Sequence, residues 1–470
     1  MNMVVACLLF AVVSSTEPLA WNNSMGYPVE NEKFELFHIS QIEHNYNMSL
    51  HARLERDEKR IKTLAQVLIG ESNIPLVNTT VEQGEMLGTL EYIVRIGVGT
   101  PPVYQFLAID TGSDLPWIQC QPCSKCYYQV NPIYDPKKSS TYKEISCEST
   151  TCQLLGKQHS CKDHQCRYNV GYGDGSSSKG VIALENFTFG DAIISNVAFG
   201  CGQKNKGHFL NFGGILGLGR GYLSFTGQLR GSTGGIFSYC LVNAGSTTSG
   251  WLRIGEGAIP ARAAWAPLMY NPRTDPSFYY VGLSGIMVGQ MKVPIPDQVF
   301  QLSSAGKGGV VIDTGTVISR FPKAAYEVFR DTFLAQTKHL PRAKGISLLD
   351  TCYNLTTVNP VDIPNVSLHF RGGPILILTP TSILIRVEGS DTFCLAFAPT
   401  SDDFSILGNI VQQKIQVTID PRNGRIGFGP ETCASGNPGW TKFRNGSRRQ
   451  SSGNSVLLCT ILILAHYLLV

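Results

Sequence analysis

The sequence predicts a mainly β protein whose chain forms two related lobes. The quartet Asp110-Thr111-Gly112-Ser113 returns as Asp313-Thr314-Gly315-Thr316, and an apolar pair comes before each copy. An apolar-apolar-Gly motif then follows each copy, at 214–219 and at 405–409. From Leu90 onward, short runs of Val, Ile, Tyr, Phe and Thr alternate with Gly, Pro, Asn and Ser, which is typical of strands joined by turns. Two motifs that recur in the same order indicate an internally duplicated chain.

The first 85 residues lack this alternation of strand and turn residues and are predicted to precede the lobes. An apolar run from Met3 to Val13, followed by small residues, predicts a signal peptide over 1–15. From Leu50 to Leu68 the apolar residues have helical spacing among many charges. Residues 16–85 are therefore interpreted as a propeptide, with a simple N-terminal linker as the alternative.

The remaining chain divides into an N-terminal lobe, 86–255, and a C-terminal lobe, 256–435. A stretch rich in Gly, Ser, Thr and Pro at 243–276 marks the divide. Within the lobes the clearest expected elements are one helix and three strands: Lys323 to Lys338 for the helix, and Glu91 to Val98, Val181 to Phe189 and Gln413 to Asp420 for the strands.

The duplicated quartet is the candidate catalytic site. An apolar strand that runs into Asp-Thr-Gly places a carboxylate at a buried strand end, and the hydroxyl of Ser113 or Thr316 can hydrogen-bond it. When two such carboxylates meet, they cannot both ionise freely and share one proton. Asp110 and Asp313 are then able to activate a water and polarise a peptide carbonyl without a metal or a covalent intermediate.

The motifs resemble those of the pepsin-family aspartic proteases, within them the plant group of nepenthesin and the guard-cell enzymes. The resemblance covers about Leu87 to Cys433 and rests on four segments, 108–117, 172–176, 237–240 and 278–283. It implies a bilobal pepsin-like fold with the active site between the lobes and an endopeptidase activity.

The same resemblance implies the supporting residues. Thr111, Gly112, Ser113, Thr314, Gly315 and Thr316 would surround the two aspartates. Tyr172, with Gly173 and Asp174, would form the flap over the substrate, and the Trp117 indole would hydrogen-bond Tyr172. One departure is Pro116, which lacks an N–H and is expected to alter the fit of the strand that presents Trp117.

Twelve of the 14 cysteines fall in the predicted mature region, and an even number in a secreted chain indicates disulfides. Zinc binding by the cluster from Cys120 to Cys166 is the alternative, although such sites are mainly intracellular. The resemblance to nepenthesin implies six pairs: Cys120–Cys123, Cys126–Cys201, Cys147–Cys166, Cys152–Cys161, Cys240–Cys433 and Cys352–Cys394.

The C-terminal residues, 436–470, predict a lipid attachment signal. The small triplet Asn445-Gly446-Ser447 is followed by a polar spacer at 448–455 and an apolar tail at 456–470, which is the form of a GPI signal attached at Asn445 or a neighbour. A short tail anchor or a disordered apolar end is the alternative. The interpretation places the protein in the secretory pathway, on the plasma membrane outer leaflet or outside the cell, with glycans expected at Asn22, Asn47, Asn78, Asn186, Asn354 and Asn365.

Composition restricts the partners. The net charge of +4 over 470 residues is small, and no basic segment is interleaved with aromatic residues, so nucleic acid is not an expected partner. The expected partners are peptide or protein substrates of a monomer without a cofactor or metal. A catalytically inactive binding or inhibitor protein on the same fold is the alternative function, because a fold does not guarantee its activity.

Overall fold

The computed structural model describes residues 89–433, apart from 173–174, 190–191, 208, 244–245, 247–248, 274–276 and 430–432, together with the backbone of 32–38 and 83–84. Strands dominate this part of the chain, so the predicted mainly β class is confirmed.

The elements up to residue 254 form one group. They are β1 Glu32–His38, β2 Gln83–Gly84, β3 Thr89–Leu90, β4 Tyr92–Val98, β5 Val103–Asp110, β6 Trp117–Gln119, β7 Lys143–Glu144, α1 Thr150–Gln153, β8 His159–Lys162, β9 Gln165–Gly171, β10 Ser177–Phe189, β11 Ala192–Lys206, β12 Gly214–Gly217, α2 Phe225–Gln228, α3 Arg230–Thr233, β13 Phe237–Cys240 and β14 Gly250–Ile254.

The second group carries the longest helix of the described residues. Its elements are β15 Ala264–Met269, β16 Tyr279–Val281, β17 Leu283–Val288, β18 Met291–Lys292, β19 Val310–Ile312, β20 Ser319–Pro322, α4 Lys323–Gln336, β21 Arg342–Ala343, β22 Cys352–Asn354, β23 Val366–Phe370, β24 Ile375–Leu378, β25 Leu384–Arg386, β26 Thr392–Leu395, β27 Phe397–Thr400, β28 Ser405–Leu407, β29 Gln416–Asp420 and β30 Arg425–Gly429.

The duplication in the sequence is also a duplication of sheet topology. β12 pairs in parallel with β5, which places Gly217 beside Asp110, and β12 also pairs antiparallel with β6. In the second half, β28 pairs in parallel with β19, which places Leu407 beside Ile312, and also antiparallel with β20. Each apolar-apolar-Gly motif is therefore the strand that supports the quartet of its own half.

One ladder joins the halves. β13 pairs with β14 on one side and with β29 on the other, so a strand from before the expected lobe divide hydrogen-bonds to one from the second half. β1 pairs with both β14 and β4, although its residues fall in the predicted propeptide. The largest core cluster accordingly contains residues from both halves, among them Phe237, Tyr279 and Ile419. The numerical lobe boundaries stay a prediction.

The predicted helix at 323–338 is confirmed as α4, Lys323–Gln336. It begins immediately after Pro322, a residue whose fixed φ suits a helix start. Tyr326, Phe329 and Phe333 lie on its buried face at helical spacing, and this aromatic face packs the helix against β20 and β27.

All 12 cysteines of the described region are paired in disulfides, which excludes the zinc alternative for them. Cys240–Cys433 and Cys352–Cys394 agree with the pairs that the resemblance implies. In the second pair the two cysteines stand opposite each other in the β22–β26 ladder.

The predicted pairs Cys120–Cys123 and Cys126–Cys201 are wrong, since the structure has Cys120–Cys201 and Cys123–Cys126. The reason is the parallel pairing of β6 with β11, in which the Cys120 amide donates to the Gly202 carbonyl at 2.9 Å. This register brings Cys120 beside Cys201, with 5.3 Å between their Cα atoms. Cys123 and Cys126 then close a short loop on each other.

The predicted pairs Cys147–Cys166 and Cys152–Cys161 are also wrong, because the bridges are Cys147–Cys161 and Cys152–Cys166. Cys152 on α1 and Cys166 on β9 are both fully buried in one apolar cluster. Cys161 lies on the exposed strand β8, and Cys147 is only partly buried. Burial therefore sorts these four cysteines into an inner pair and an outer pair.

Candidate active site

The two quartets stand at equivalent strand ends. Asp110 is the last residue of β5 and Asp313 follows β19 directly, and both side chains are fully buried. The Gly112 amide donates to Asp110 Oδ1 at 2.9 Å, and the Gly315 amide donates to Asp313 Oδ1 at 2.8 Å. The strand and turn therefore present each carboxylate in the same way.

The hydroxyls of the fourth positions complete the symmetry. The Ser113 hydroxyl donates to Asp110 Oδ2, and the Thr316 hydroxyl donates to Asp313 Oδ2 at 2.7 Å. Hydrogen bonds of this kind favour the charged form of a carboxylate. Both aspartates thus keep hydrogen-bond donors despite burial, as the sequence predicts.

Reciprocal threonine contacts bring the quartets together. The Thr111 amide donates to Thr314 Oγ1 at 3.0 Å, and the Thr314 amide donates to Thr111 Oγ1 at 2.9 Å. Each hydroxyl also reaches the carbonyl before the opposite aspartate, Thr111 to Ile312 at 3.3 Å and Thr314 to Ile109 at 3.1 Å. These contacts cross sequence separations of 201 to 205 residues and fix the two carboxylate-bearing turns side by side.

The loop after β28 adds a support that the sequence analysis missed. Asn409 is fully buried, and its side-chain amide donates to the Thr314 carbonyl at 3.1 Å and the Leu90 carbonyl at 3.3 Å. The Gly408 amide donates to the Ser319 hydroxyl at 3.1 Å. The repeated motif at 405–409 is the sequence signal for this loop, but it gives no indication of the polar contacts.

Asp114 is a second missed residue. Its Oδ1 accepts from the Gly221 amide at 2.9 Å, and its Oδ2 accepts from the Ser277 hydroxyl at 2.5 Å. The Arg220 amide donates to the Ser277 carbonyl at 3.0 Å, and the Tyr279 hydroxyl donates to the Leu218 carbonyl at 2.9 Å. Asp114 therefore ties the residues after β12 to a segment of the second half, immediately beyond the first quartet.

The expected flap tyrosine lies in an aromatic cluster. Tyr172 is 4% exposed, and its ring centroid is 6.4 Å from that of Trp117 and 5.7 Å from that of Phe209. Phe209 also contacts Trp117 edge-on at 4.9 Å, a contact that the sequence did not predict. Gly173 and Asp174, the other expected flap residues, lie outside the described residues.

The surroundings of Tyr172, which include the first aspartate, raise the pKa of its hydroxyl. Burial raises the pKa of the Tyr172 hydroxyl well above its ordinary value, and the nearby Tyr168 and Asp110 raise it further. The Trp117 indole lowers that pKa, yet its N–H reaches no partner with hydrogen-bond geometry among the described residues. The expected Trp117–Tyr172 hydrogen bond is therefore not formed in this structure, although the two rings lie close together.

Pro116 directly precedes β6, and its carbonyl accepts from the Gly200 amide at 2.8 Å.

The expected modification sites fall into two groups. Asn354 and Asn365 are exposed and Asn186 is half-buried. Asn22, Asn47, Asn78 and the expected attachment residue Asn445 lie outside the described residues. Over the described ranges, no helix is long and apolar enough to cross a membrane.

Two family models match this chain, one in each half. Residues 92–256 match the family described as Xylanase inhibitor N-terminal, and residues 278–430 match the family described as Xylanase inhibitor C-terminal. The chain is 48% identical over 398 residues to Protein ASPARTIC PROTEASE IN GUARD CELL 2 of Arabidopsis thaliana, covering 83% of this chain and 84% of that protein. It is 35% identical over 407 residues to aspartic proteinase nepenthesin-2 of Nepenthes gracilis, covering 84% and 90%.

Solved structures show the same fold at lower identity. The structure of edgp superimposes with a TM-score of 0.60 and 18% identity, covering 75% of this chain and 94% of that chain. Basic 7S globulin from soybean gives a TM-score of 0.58 and 20% identity, covering 73% and 94%. The sequence relatives, which share far more residues, are named as proteases. The chain belongs to the pepsin-like aspartic protease family and is an aspartic-type protease.

Proposed function

We propose that Asp110 and Asp313 hydrolyse peptide bonds by general acid–base catalysis. The observation that carries this proposal is the reciprocal pair of Thr111 and Thr314 contacts, which holds two equivalently bonded carboxylates side by side. The complete quartets favour an active enzyme over the inactive binding protein, because each hydroxyl and amide donor that the carboxylates need is present.

The proposed chemistry needs one water and one shared proton. The ionised carboxylate takes a proton from the water, and the water oxygen attacks the peptide carbonyl carbon. At the same time the protonated carboxyl donates its proton to the carbonyl oxygen. The tetrahedral diol then collapses as the C–N bond breaks: the carboxyl that took the water proton gives a proton to the leaving nitrogen, and the other carboxylate takes a proton from one diol hydroxyl, which restores the starting state of the pair. Because the pair needs one proton, activity peaks at acid pH and falls when both groups ionise.

The aromatic cluster supports a preference for apolar or aromatic side chains in the substrate. Trp117, Phe209 and Tyr172 contact one another and have few polar atoms to satisfy. Closure of the flap that carries Tyr172 excludes water from the reacting bond.

Asparagine substitution tests the dyad. Asp110→Asn and Asp313→Asn should each abolish hydrolysis of a peptide library at acid pH while leaving the unfolding midpoint nearly unchanged. Pepstatin should inhibit the parent enzyme. Substantial turnover by either single variant would refute the assignment, and inert parent protein that still binds a partner would favour the alternative class.

We also propose the cellular setting. Residues 1–85 are removed as a signal peptide and propeptide, and the protein acts as a glycosylated monomer anchored by GPI to the outer leaflet. The support is the tail pattern at 445–470 and the sequons on exposed Asn354 and Asn365. Phosphatidylinositol-specific phospholipase C should release the protein from cells. Retention of the tail peptide on the membrane after this treatment would identify a tail anchor instead.

A further inference from the structure

Four lysines from three separate segments meet on one face of the sheet beside the flap. Lys179 on β10 stands directly opposite Lys204 on β11, and Lys204 forms a bridge with Lys125 on its other side. Lys206 lies two residues beyond Lys204, and its ladder partner is Ser177. All four lysines are exposed, while the intervening Ser178 and Asn205 are buried. Lys125, Lys179, Lys204 and Lys206 are called the lysine row below.

Among the described residues, the lysine row has no acidic partner. None of its four side chains forms an ion pair or another hydrogen bond within the described part of the chain. Like charges placed directly opposite each other in a ladder destabilise the sheet. The folded protein therefore keeps an uncompensated positive surface that an external anion can neutralise.

The backbone holds Lys125 firmly in this row. Lys125 lies inside the four-residue loop that the Cys123–Cys126 bridge closes. The Ser124 and Lys125 amides donate to the Gln203 carbonyl at 2.9 and 3.3 Å, and the Asn205 amide donates to the Lys125 carbonyl at 2.7 Å. The backbone positions from which the lysines project are thus set before any ligand arrives, which reduces the ordering cost of binding.

We propose that the lysine row binds a linear, carboxylate-bearing polysaccharide of the polyuronate class. The groups beside the lysines are the hydroxyls of Ser124 and Ser177 and the amide of Asn169, all at least partly exposed. The Ser124 hydroxyl donates to the Gln203 carbonyl at 2.9 Å and can still accept from a sugar hydroxyl, so the three groups suit a ligand of carboxylates and hydroxyls. A repeating polymer presents one carboxylate per sugar and meets several lysines at once. The charge attraction is summed over these contacts and weakened by salt.

The same surface disfavours two other anionic partners, an acidic peptide and an anionic membrane. Acidic peptides commonly bind as an added strand, but β10 at Lys179 and β11 at Lys204 are already paired on both sides. Stable binding at a lipid surface also draws on apolar side chains that enter the lipid, and none of the residues next to a row lysine in the chain carries a large apolar side chain.

Lys179 lies on the opposite face of its hairpin from Tyr172, the residue expected to face the substrate. Tyr172 is buried among Trp117 and Phe209, whereas Lys179, seven positions later on the same hairpin, is exposed. A bound polymer therefore contacts the outside of the hairpin, and the peptide site stays separate from it.

Binding of the full, processed protein to immobilised polygalacturonate tests the proposal. The row variant, with all four lysines changed to Gln, should bind roughly tenfold or more weakly, because a lysine near an anionic surface contributes up to about fivefold. The slope of log affinity against log salt should also fall. A matched control with four exposed lysines outside the row changed to Gln has the same net charge and should bind as the parent does: Lys137, Lys157, Lys338 and Lys344.

Three further measurements separate the ligand classes. Fully methyl-esterified polymer, which keeps the hydroxyls and lacks the charge, should not bind. Equal binding by the row variant and the control would overturn the proposal, as would tighter parent binding to poly-L-glutamate or to phosphatidylserine vesicles than to polygalacturonate. Peptide hydrolysis at acid pH should be the same in both variants, which shows that loss of binding is not loss of fold.

Discussion

Substitution of Thr314 by Val should break the link between the two catalytic turns. Valine has nearly the same shape but no hydroxyl, so the Thr111 amide loses its acceptor at 3.0 Å and the Ile109 carbonyl loses its donor at 3.1 Å. Each buried group left without a partner costs about 1–3 kcal/mol, so the free energy of unfolding should fall by about 2–6 kcal/mol. Thr111→Val should cost a similar amount, because its hydroxyl makes the equivalent pair of contacts.

Activity should fall with stability in these variants. A shift of about 1 Å in a catalytic group can lower the rate about a hundredfold, so kcat should drop more than KM rises. Guanidinium unfolding with the disulfides intact gives the stability, and peptide hydrolysis at acid pH gives the rates. The matched control is Thr314→Ser, which keeps the hydroxyl and loses a methyl worth about 1 kcal/mol. Equal stability and equal kcat in Thr314→Val and Thr314→Ser would refute the reasoning.

Three other predictions concern the surroundings of the dyad. Asp114→Ala should lower kcat more than Ser277→Ala does, because it removes two acceptors rather than one donor; equal steady-state rates in the two variants would contradict this. Phe209→Ala should raise KM for substrates with aromatic side chains by about tenfold or more through lost packing and leave short polar substrates unaffected, as compared in a peptide library. Burial alone would raise the pKa of Asp420, but hydrogen bonds from Asn423 and Arg425 outweigh it and hold that pKa below its ordinary value. The stability that the ionised Asp420 contributes is present above the unfolded-state pKa and is lost as pH falls through the folded-state pKa. The thermal melting temperatures of the parent and of Asp420→Asn should therefore converge at the lowest pH.

The sequence was most informative where chemistry is local. Asp110 and Asp313 could be predicted because each needs its own strand, glycine and hydroxyl within four residues, and the structure places all of these as expected. Helix α4 could be predicted for the same reason, since its aromatic face has a period that a single segment defines.

Contacts between segments that are distant in the chain could not be predicted from the sequence. The Cys120–Cys201 bridge depends on the register of β6 against β11, and a register is set by the packing of both strands. Asp114 and Ser277 are 163 residues apart, and no periodicity in either segment indicates their contact. The lysine row is likewise invisible in the sequence, where its members are single basic residues among polar ones.

The strand β1 has a consequence for maturation. It lies between β4 and β14, with five residue pairs to β14 and three to β4. A cut near residue 85 severs the peptide chain but leaves these backbone hydrogen bonds in place, so cleavage and dissociation of the N-terminal segment are separate events. Release exposes two open strand edges, which attract other extended segments. An enzyme cut as proposed would therefore be a two-chain species until the N-terminal segment dissociates, and native mass spectrometry should be compared with denaturing mass spectrometry before the segment is counted as lost.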